Sequence, residues 1–285
     1  MKEKNEKGID RRKFLKIMGA GAVASATALY GCSSDKKPQA SEAAARGEIP
    51  TDKMTYRTSP KGERISLLGY GCMRWPMKQN PDGKGEIVDQ EAVNRLVDYA
   101  IEHGVNYFDT SPVYCQGLSE KATGIALKRH PEKLFIATKL SNFQNYTREN
   151  SIEMYRQSFK ELQTDYLDYY LLHSVGGGAG IQTFHDRYID NGVLDFLLKE
   201  RDAGRIRNLG WSFHGSVEVF DYLLSLDVKW DFVQIQMNYA DWRHATGNNV
   251  NAEYLYGELE KRGIPAIIME PLLGGRLAKL NDHLI

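Results

Sequence analysis

Short apolar runs alternate with amphipathic segments along most of the chain. Seven apolar runs have the length of a β-strand, at residues 67–71, 105–108, 134–138, 166–172, 206–212, 232–237 and 266–272. The segments that follow most of them carry apolar residues at helical spacing, as in 151–162, 193–203, 216–226 and 251–262. Strands separated by helices in this way indicate a parallel sheet with helices packed outside it.

Two of the predicted helices also carry end signals. Asp89 is placed to cap a helix whose apolar face begins at Val93, and Gly104 is placed to end it. Ser119 is a candidate cap for the next helix. Before the first of these repeats, residues 55–57 and 64–66 flank Pro60 and predict a short hairpin.

The repeat count favours a (β/α)8 barrel over an open doubly wound sheet. A dinucleotide fingerprint is missing, because Gly69 and Gly71 are followed by Arg74 where a Gly or Ala is needed, and the run at 176–178 fails at Ile181. Seven strands are found where a barrel has eight, and an open sheet exposes a strand edge. We therefore hypothesise a partial gene product, or a barrel closed from another source.

The N-terminal region has the pattern of an export signal. Arg11 and Arg12 precede a short Ala- and Gly-rich apolar run, and residues 1–32 resemble a twin-arginine (Tat) signal. Cys32 ends a sequence that resembles a lipobox, although the small residues at 24–26 also suit ordinary cleavage. We expect 33–53 to be a flexible tether, 54–285 to form the barrel, and the product to reach the periplasm or cell envelope through the Tat translocase, lipid-anchored if Cys32 is modified.

Composition narrows the function classes. The first 31 residues hold seven Lys or Arg and three acids, so the remainder carries 30 basic against 34 acidic residues. A mildly acidic body gives no support for nucleic-acid binding. Three cysteines are too few for a disulfide framework, and we expect Cys72 and Cys115 to be free thiols. No metal site is expected in this chain.

Polar residues fall at the carboxyl ends of successive predicted strands. Asp109 follows the second strand, Lys139 the third and His173 the fourth, and Tyr114 comes five residues after Asp109. Because these strand ends share one rim of a barrel, the four side chains can converge on one pocket. Alone, each has an ordinary structural explanation, such as a cap, a solvated lysine or a core histidine. Their joint occurrence favours function.

The four groups suit carbonyl reduction. A tyrosine hydroxyl has an unperturbed pKa near ~10, and a neighbouring ammonium lowers it. We therefore predict Tyr114 as proton donor, Lys139 as the group that tunes it, and Asp109 as the partner of the lysine. His173 is expected to orient the substrate and to stabilise the oxyanion by a hydrogen bond.

Four motifs, in order, resemble the aldo/keto reductase family. These are Gly-Tyr-Gly-Cys-Met-Arg at 69–74, Asn-Tyr-Phe-Asp-Thr-Ser-Pro-Val-Tyr at 106–114, Ala-Thr-Lys at 137–139 and Tyr-Tyr-Leu-Leu-His at 169–173. The resemblance runs from about residue 55 to 280. It implies a nicotinamide cofactor, NADP(H) or NAD(H), bound without a Rossmann fold, and direct hydride transfer with a small carbonyl or alcohol substrate.

The resemblance also assigns cofactor contacts. Ser212 and Gln234 match positions that bind the nicotinamide carboxamide. Gly274 and Gly275 match a loop whose backbone approaches the pyrophosphate. The family segment that clamps the adenosine phosphate lies beyond residue 285, so the choice between NADP and NAD stays open.

Departures from the family pattern point to one branch of it. Met269 stands where many members have a tyrosine that stacks on the nicotinamide, Leu272 falls in the same predicted cofactor-binding stretch, and Phe213 replaces a common Asn. The segments at 73–76 and 269–272 resemble relatives whose longer chains carry a C-terminal ferredoxin-like domain with [4Fe–4S] clusters. Two alternatives to a free-standing enzyme follow: a non-catalytic nucleotide-binding or regulatory barrel, and the catalytic part of a larger iron–sulfur reductase.

Overall fold

The computed structural model describes residues 49–243 and 251–278. The predicted signal at 1–32 and the tether up to residue 48 lie outside the described residues. None of the described helices is long and apolar enough to cross a bilayer.

A seven-stranded parallel sheet forms the centre of the described fold. The described residues contain eleven strands, of which seven form this sheet and four form two separate antiparallel pairs. The strands are β1 Tyr56–Thr58, β2 Arg64–Ser66, β3 Tyr70–Gly71, β4 Met77–Gln79, β5 Glu86–Val88, β6 Tyr107–Asp109, β7 Phe135–Leu140, β8 Leu167–Val175, β9 Ile206–Phe213, β10 Phe232–Gln236 and β11 Ala266–Met269. The two antiparallel pairs are β1–β2 and β4–β5. The sheet order is β3-β6-β7-β8-β9-β10-β11, so every strand pairs in parallel with the next along the chain. This is the curled sheet of a (β/α)8 barrel, and the prediction of seven strands in it is confirmed.

In the described residues, six helices of nine or more residues connect or follow these strands. They are α1 Gln90–Glu102, α2 Ser119–Leu127, α3 Arg148–Leu162, α4 Val193–Asp202, α5 Val217–Ser225 and α6 Ala252–Lys261. The prediction for Asp89 is confirmed, because its carboxylate accepts a hydrogen bond from the Ala92 N–H at 3.3 Å. The predicted Ser119 cap is wrong. Ser119 is the first helical residue, it is fully buried, and its hydroxyl donates to the Cys72 carbonyl at 2.8 Å.

Sequence patterns misplaced or missed three local features. The strand predicted at 67–71 shrinks to β3, because Leu67 and Leu68 are 59% and 62% exposed and Ser66 bonds the Leu68 carbonyl in a turn. The antiparallel hairpin β4–β5 was not predicted. A short helical segment at 181–189 was not predicted either.

Alternation along the strands sorts side chains between two layers. Tyr170 and Leu172 pack on the helices, where the Tyr170 ring lies 5.3 Å from the ring of Tyr155. Tyr169 and Leu171 face the other side of β8, with Phe232 of β10. Because side chains alternate with a period of two, His173 shares the inner face with residues 169 and 171. By the same alternation, Lys139 shares the inner face with Ala137 on β7, and Asp109 shares it with Tyr107 on β6.

Candidate active site

A buried ion pair forms the centre of the site. The ammonium of Lys139 is 1% exposed, and it binds Asp109 Oδ1 and the Thr110 carbonyl, the latter at 2.8 Å. Gln234 Nε2 donates to the other oxygen of Asp109 at 3.1 Å. The prediction that Asp109 is the partner of Lys139 is therefore confirmed. With both carboxylate oxygens occupied, the aspartate is fixed in orientation.

Tyr114 lies over this pair. The ring centroid of Tyr114 is 4.9 Å from the Lys139 ammonium, so the lysine charge acts on the Tyr114 hydroxyl at short range. Tyr114 begins a turn, Tyr114–Gly117, in which Cys115 and Gln116 both adopt left-handed backbone angles. The four predicted residues thus converge, since the Tyr114 ring also packs edge-on against His173 at 5.8 Å.

Burial reverses one electrostatic expectation. Burial raises the pKa of Tyr114, while the nearby Lys139 charge lowers it, and the net pKa is above its usual value. Lys139 therefore acts on the tyrosine in the expected direction, but desolvation of the phenolate is the larger effect. Burial lowers the pKa of Lys139, but Asp109 and Tyr114 together raise it by more than burial lowers it. The net pKa is above its usual value, so the ammonium stays charged.

His173 is neutral in this environment. Burial lowers the pKa of His173 to about 2, and the positive charges of Lys139 and Arg187 act in the same direction. Its Nδ1 contacts two hydroxyls, Ser141 Oγ at 2.6 Å and Ser111 Oγ at 3.3 Å. A neutral imidazole can donate a hydrogen bond to a carbonyl oxygen without competing as a strong acid.

This lowered pKa predicts an acid-dependent loss of stability. Because the pKa of His173 is lower in the folded than in the unfolded chain, its stabilising contribution is complete above pH 6.5 and declines as the pH falls toward 2. We expect His173 to account for about 2 kcal/mol of lost unfolding free energy at pH 5 relative to pH 7.5. Urea unfolding of the full chain and of His173→Gln at both pH values measures this difference. An equal pH dependence in the two proteins would contradict the assignment.

Sequence reasoning missed a second layer behind His173. Arg187 is 4% exposed and donates to the His173 carbonyl at 2.9 Å and to Asn142 Oδ1 at 3.1 Å. It also stacks over Phe143, whose ring lies 5.1 Å from the imidazole. Ser111 lies two residues after Asp109, and Ser141 lies two residues after Lys139. This spacing in the sequence could have identified both serines. Arg187 comes from the segment 181–189 and has no such signal.

Two candidate cofactor residues lie on the inner face near the tetrad. Ser212 and Gln234 are 1% and 5% exposed; Ser212 is the next-to-last residue of β9, and Gln234 is the middle residue of β10. Ser212 Oγ accepts the Ser174 N–H at 2.8 Å, so its own hydrogen is left to donate. Gln234 uses its amide nitrogen on Asp109, which leaves its oxygen to accept. One donor and one acceptor fit the carboxamide of a nicotinamide.

The remaining candidates lie at and after the last strand. Met269 ends β11, Leu272 is 47% exposed, and the turn Leu273–Gly275 places Gly274 and Gly275 at φ 66° and 95°. No hydrogen bond among the described residues joins this segment to the tetrad, so its cofactor role stays a prediction. In 49–243 and 251–278, no group of three His, Cys, Asp or Glu could hold a metal ion. Cys72 and Cys115 are free, as expected.

Comparison with known proteins places this geometry in a family. The chain is 30% identical to Protein tas of Escherichia coli over 201 residues, 60% of this chain and 55% of that protein. It is 28% identical to L-galactose dehydrogenase of Arabidopsis thaliana over 226 residues, 76% of this chain and 65% of that protein. It therefore spans about half to two thirds of the length of these relatives.

Solved structures agree. The holo form of the aldo-keto reductase AKR11C1 of Bacillus halodurans matches with a TM-score of 0.61 and 25% identity, over 80% of this chain and 71% of that one. The Bombyx mori aldo-keto reductase AKR2E4 matches in fold, with a TM-score of 0.55 and 21% identity over 76% and 66% of the two chains. The model of the aldo/keto reductase family matches residues 67–284. With the tetrad assembled on a barrel rim, this chain belongs to the aldo/keto reductase family.

Proposed function

We propose that the protein is an NAD(P)H-dependent oxidoreductase that interconverts a small carbonyl compound and its alcohol. The observation that carries the proposal is the buried Lys139 ammonium, held by Asp109, 4.9 Å from the ring centroid of Tyr114 and beside a neutral His173. A proton donor and a hydrogen-bond donor then face the same small space. Reduction of a carbonyl needs both at the oxygen that becomes negative.

Each residue has a defined part in that reaction. The bound nicotinamide supplies the hydride that reaches the carbonyl carbon. Tyr114 gives its phenolic proton to the carbonyl oxygen, and the Lys139 charge stabilises the phenolate that remains. His173 holds the same oxygen by a hydrogen bond. Asp109 keeps Lys139 charged and in position.

Ser212 and Gln234 would hold the carboxamide and thereby fix which face of the nicotinamide meets the substrate. Met269, Leu272, Gly274 and Gly275 are proposed to line the rest of the cofactor path. Two structurally similar proteins, AKR2E4 of Bombyx mori and a mutant of Gox0644, were solved in complex with NADP and NADPH, which favours NADP(H) over NAD(H). Names of sequence relatives include a dehydrogenase and a methylglyoxal reductase, in keeping with alcohol and carbonyl substrates.

Cofactor binding and turnover test this proposal together. The full chain is titrated with NADPH and NADH by fluorescence, and NADPH oxidation is followed over a panel of aldehydes and ketones. We expect saturable NADPH binding and oxidation with at least one class of carbonyl. Saturable binding without turnover on any substrate would favour the non-catalytic, regulatory barrel and overturn the enzyme assignment.

We propose further that residues 1–32 direct Tat export, that Cys32 is lipidated, and that 33–53 tethers the barrel to the envelope. The twin arginines and the lipobox-like sequence support this. Replacing Arg11 and Arg12 by lysine should leave the protein in the cytoplasm, and an unchanged envelope fraction would contradict it.

A larger reductase with a [4Fe–4S] domain stays a prediction, which the gene sequence after codon 285 tests.

A further inference from the structure

Two serine hydroxyls link the ends of three neighbouring strands behind the site. Ser111 follows β6, Ser141 follows β7 and His173 lies in β8. Ser111 Oγ is 2.9 Å from Ser141 Oγ, which is 2.6 Å from His173 Nδ1. Both serines are at most 3% exposed. The protein, rather than bulk water, therefore fixes which atom of each hydrogen bond carries the hydrogen.

The direction of this chain of hydrogen bonds follows from its first member. The backbone N–H of Val113 donates to Ser111 Oγ at 3.4 Å. Ser111 can then donate to Ser141, and Ser141 can donate to His173 Nδ1. In this direction every hydroxyl both accepts and donates once.

The opposite direction leaves one group unsatisfied. If Nδ1 carried the hydrogen and donated to Ser141, then Ser141 would donate to Ser111, and the Ser111 hydrogen would need an acceptor. Its polar neighbours among the described residues are the Val113 N–H, which only donates, and the two groups already engaged. A buried donor without an acceptor is unfavourable enough to favour the first direction by roughly fivefold to a hundredfold.

We propose that the Ser111–Ser141 hydroxyl pair holds neutral His173 in the tautomer with its hydrogen on Nε2, which makes Ser141 a positioning residue for carbonyl reduction. No described residue bonds Nε2, so that hydrogen is free for the substrate oxygen. The catalytic part of this inference rests on the proposed function. The tautomer itself does not, and it can be measured without turnover.

Neighbouring contacts keep the hydroxyl pair in place. The Ser141 backbone N–H contacts Met154 Sδ of α3 at 3.3 Å, which fixes the Ser141 main chain. On the other side of His173, Arg187 holds its carbonyl oxygen. Since the imidazole is anchored at its backbone and at Nδ1, rotation of the ring is restricted, and Nε2 keeps one direction.

Nitrogen NMR of histidine-labelled full chain reports the tautomer directly, with His173→Gln identifying the resonances. We expect Nδ1 of wild-type His173 in the unprotonated range and Nε2 in the protonated range at pH 7. In the double variant Ser111→Ala/Ser141→Ala, which removes both hydroxyls that contact Nδ1, we expect a mixture of the two tautomers and a kcat lowered roughly tenfold, with little change in the KM for NADPH. Ser141→Thr, which keeps a hydroxyl, should leave both readouts as in the wild type. Ser158→Ala is the matched control, because that buried hydroxyl donates to the Met154 carbonyl of its own helix at 3.3 Å and contacts neither His173 nor its two serines.

Each result decides the matter. A hydrogen on Nδ1 in wild type, or an unchanged tautomer in the double variant, would overturn the inference. A shifted tautomer with unchanged kcat would overturn the positioning role. If the wild type reduces no carbonyl, the proposed function fails, while the NMR pattern still supports or contradicts the tautomer. Thermal melting of each variant identifies any that do not fold, and Ser111→Cys/Ser141→Cys, whose thiols are weaker hydrogen-bond donors of similar size, then replaces the double alanine variant.

Discussion

Tyr114→Phe should lower kcat by about a hundredfold to ten-thousandfold while leaving the dissociation constant of NADPH within about twofold. The substitution removes only the hydroxyl that is proposed to supply the proton, whose pKa the Lys139 charge lowers against the effect of burial. The ring that packs against His173 and covers the Lys139 ammonium is retained. The expected loss is therefore in the chemical step, measured by steady-state kinetics and by fluorescence titration with NADPH.

Tyr170→Phe provides the matched control. Tyr170 is fully buried on the helix-facing side of β8, and within 49–243 and 251–278 its hydroxyl has no hydrogen-bond partner. Removing it should leave kcat unchanged and keep or slightly raise the free energy of unfolding. Near-normal turnover in Tyr114→Phe would rule out Tyr114 as the proton donor, and equal losses in both variants would point to a general packing effect.

Lys139→Met should damage both activity and stability. It leaves the Asp109 carboxylate without its cation in a largely buried place, which costs about 3 kcal/mol of unfolding free energy, at the lower end for buried pairs because the Asp109 side chain is 16% exposed. It also removes the charge that opposes the effect of burial on Tyr114. The pKa of Tyr114 should then rise further, so the alkaline limb of the alcohol-oxidation profile should move to higher pH.

The double variant Asp109→Asn/Lys139→Met separates the two effects. With neither charge present, most of the lost stability should return, because no unpaired carboxylate remains. Activity should stay low, since Tyr114 still lacks a neighbouring ammonium. Urea unfolding and pH–rate profiles of the three proteins measure this, and recovery of kcat in the double variant would contradict the role given to Lys139.

The tetrad could be predicted because strand ends and side-chain alternation are local properties of sequence. Asp109, Lys139 and His173 lie at or near the carboxyl ends of three successive strands, and their side chains are on the same face of the sheet. Any parallel barrel therefore brings them to one rim. The count of seven sheet strands followed from the same apolar pattern. The boundaries shifted by one to three residues at most strands, because strand ends depend on neighbours that a single segment does not specify.

What the sequence could not supply depends on burial and on distant contacts. Ser119 has the residue type of a helix cap, but it lies in the core, where the Cys72 carbonyl needs its hydrogen. The sign of the Tyr114 shift depends on how completely the ring is desolvated. Arg187 reaches His173 from a segment with no strand-end signal, and its position is fixed by Asn142 and Phe143, which lie more than 40 residues away in the chain.

A single-turnover reaction with cofactor deuterated at C4 of the nicotinamide tests the central claim most directly. Wild-type protein and a reactive carbonyl should yield alcohol carrying the deuterium on the former carbonyl carbon and a solvent-exchangeable hydrogen on oxygen. Tyr114→Phe should give the same product at a rate lower by at least about a hundredfold. Deuterium absent from that carbon, or an equal rate in the two proteins, would contradict hydride transfer assisted by a proton from Tyr114.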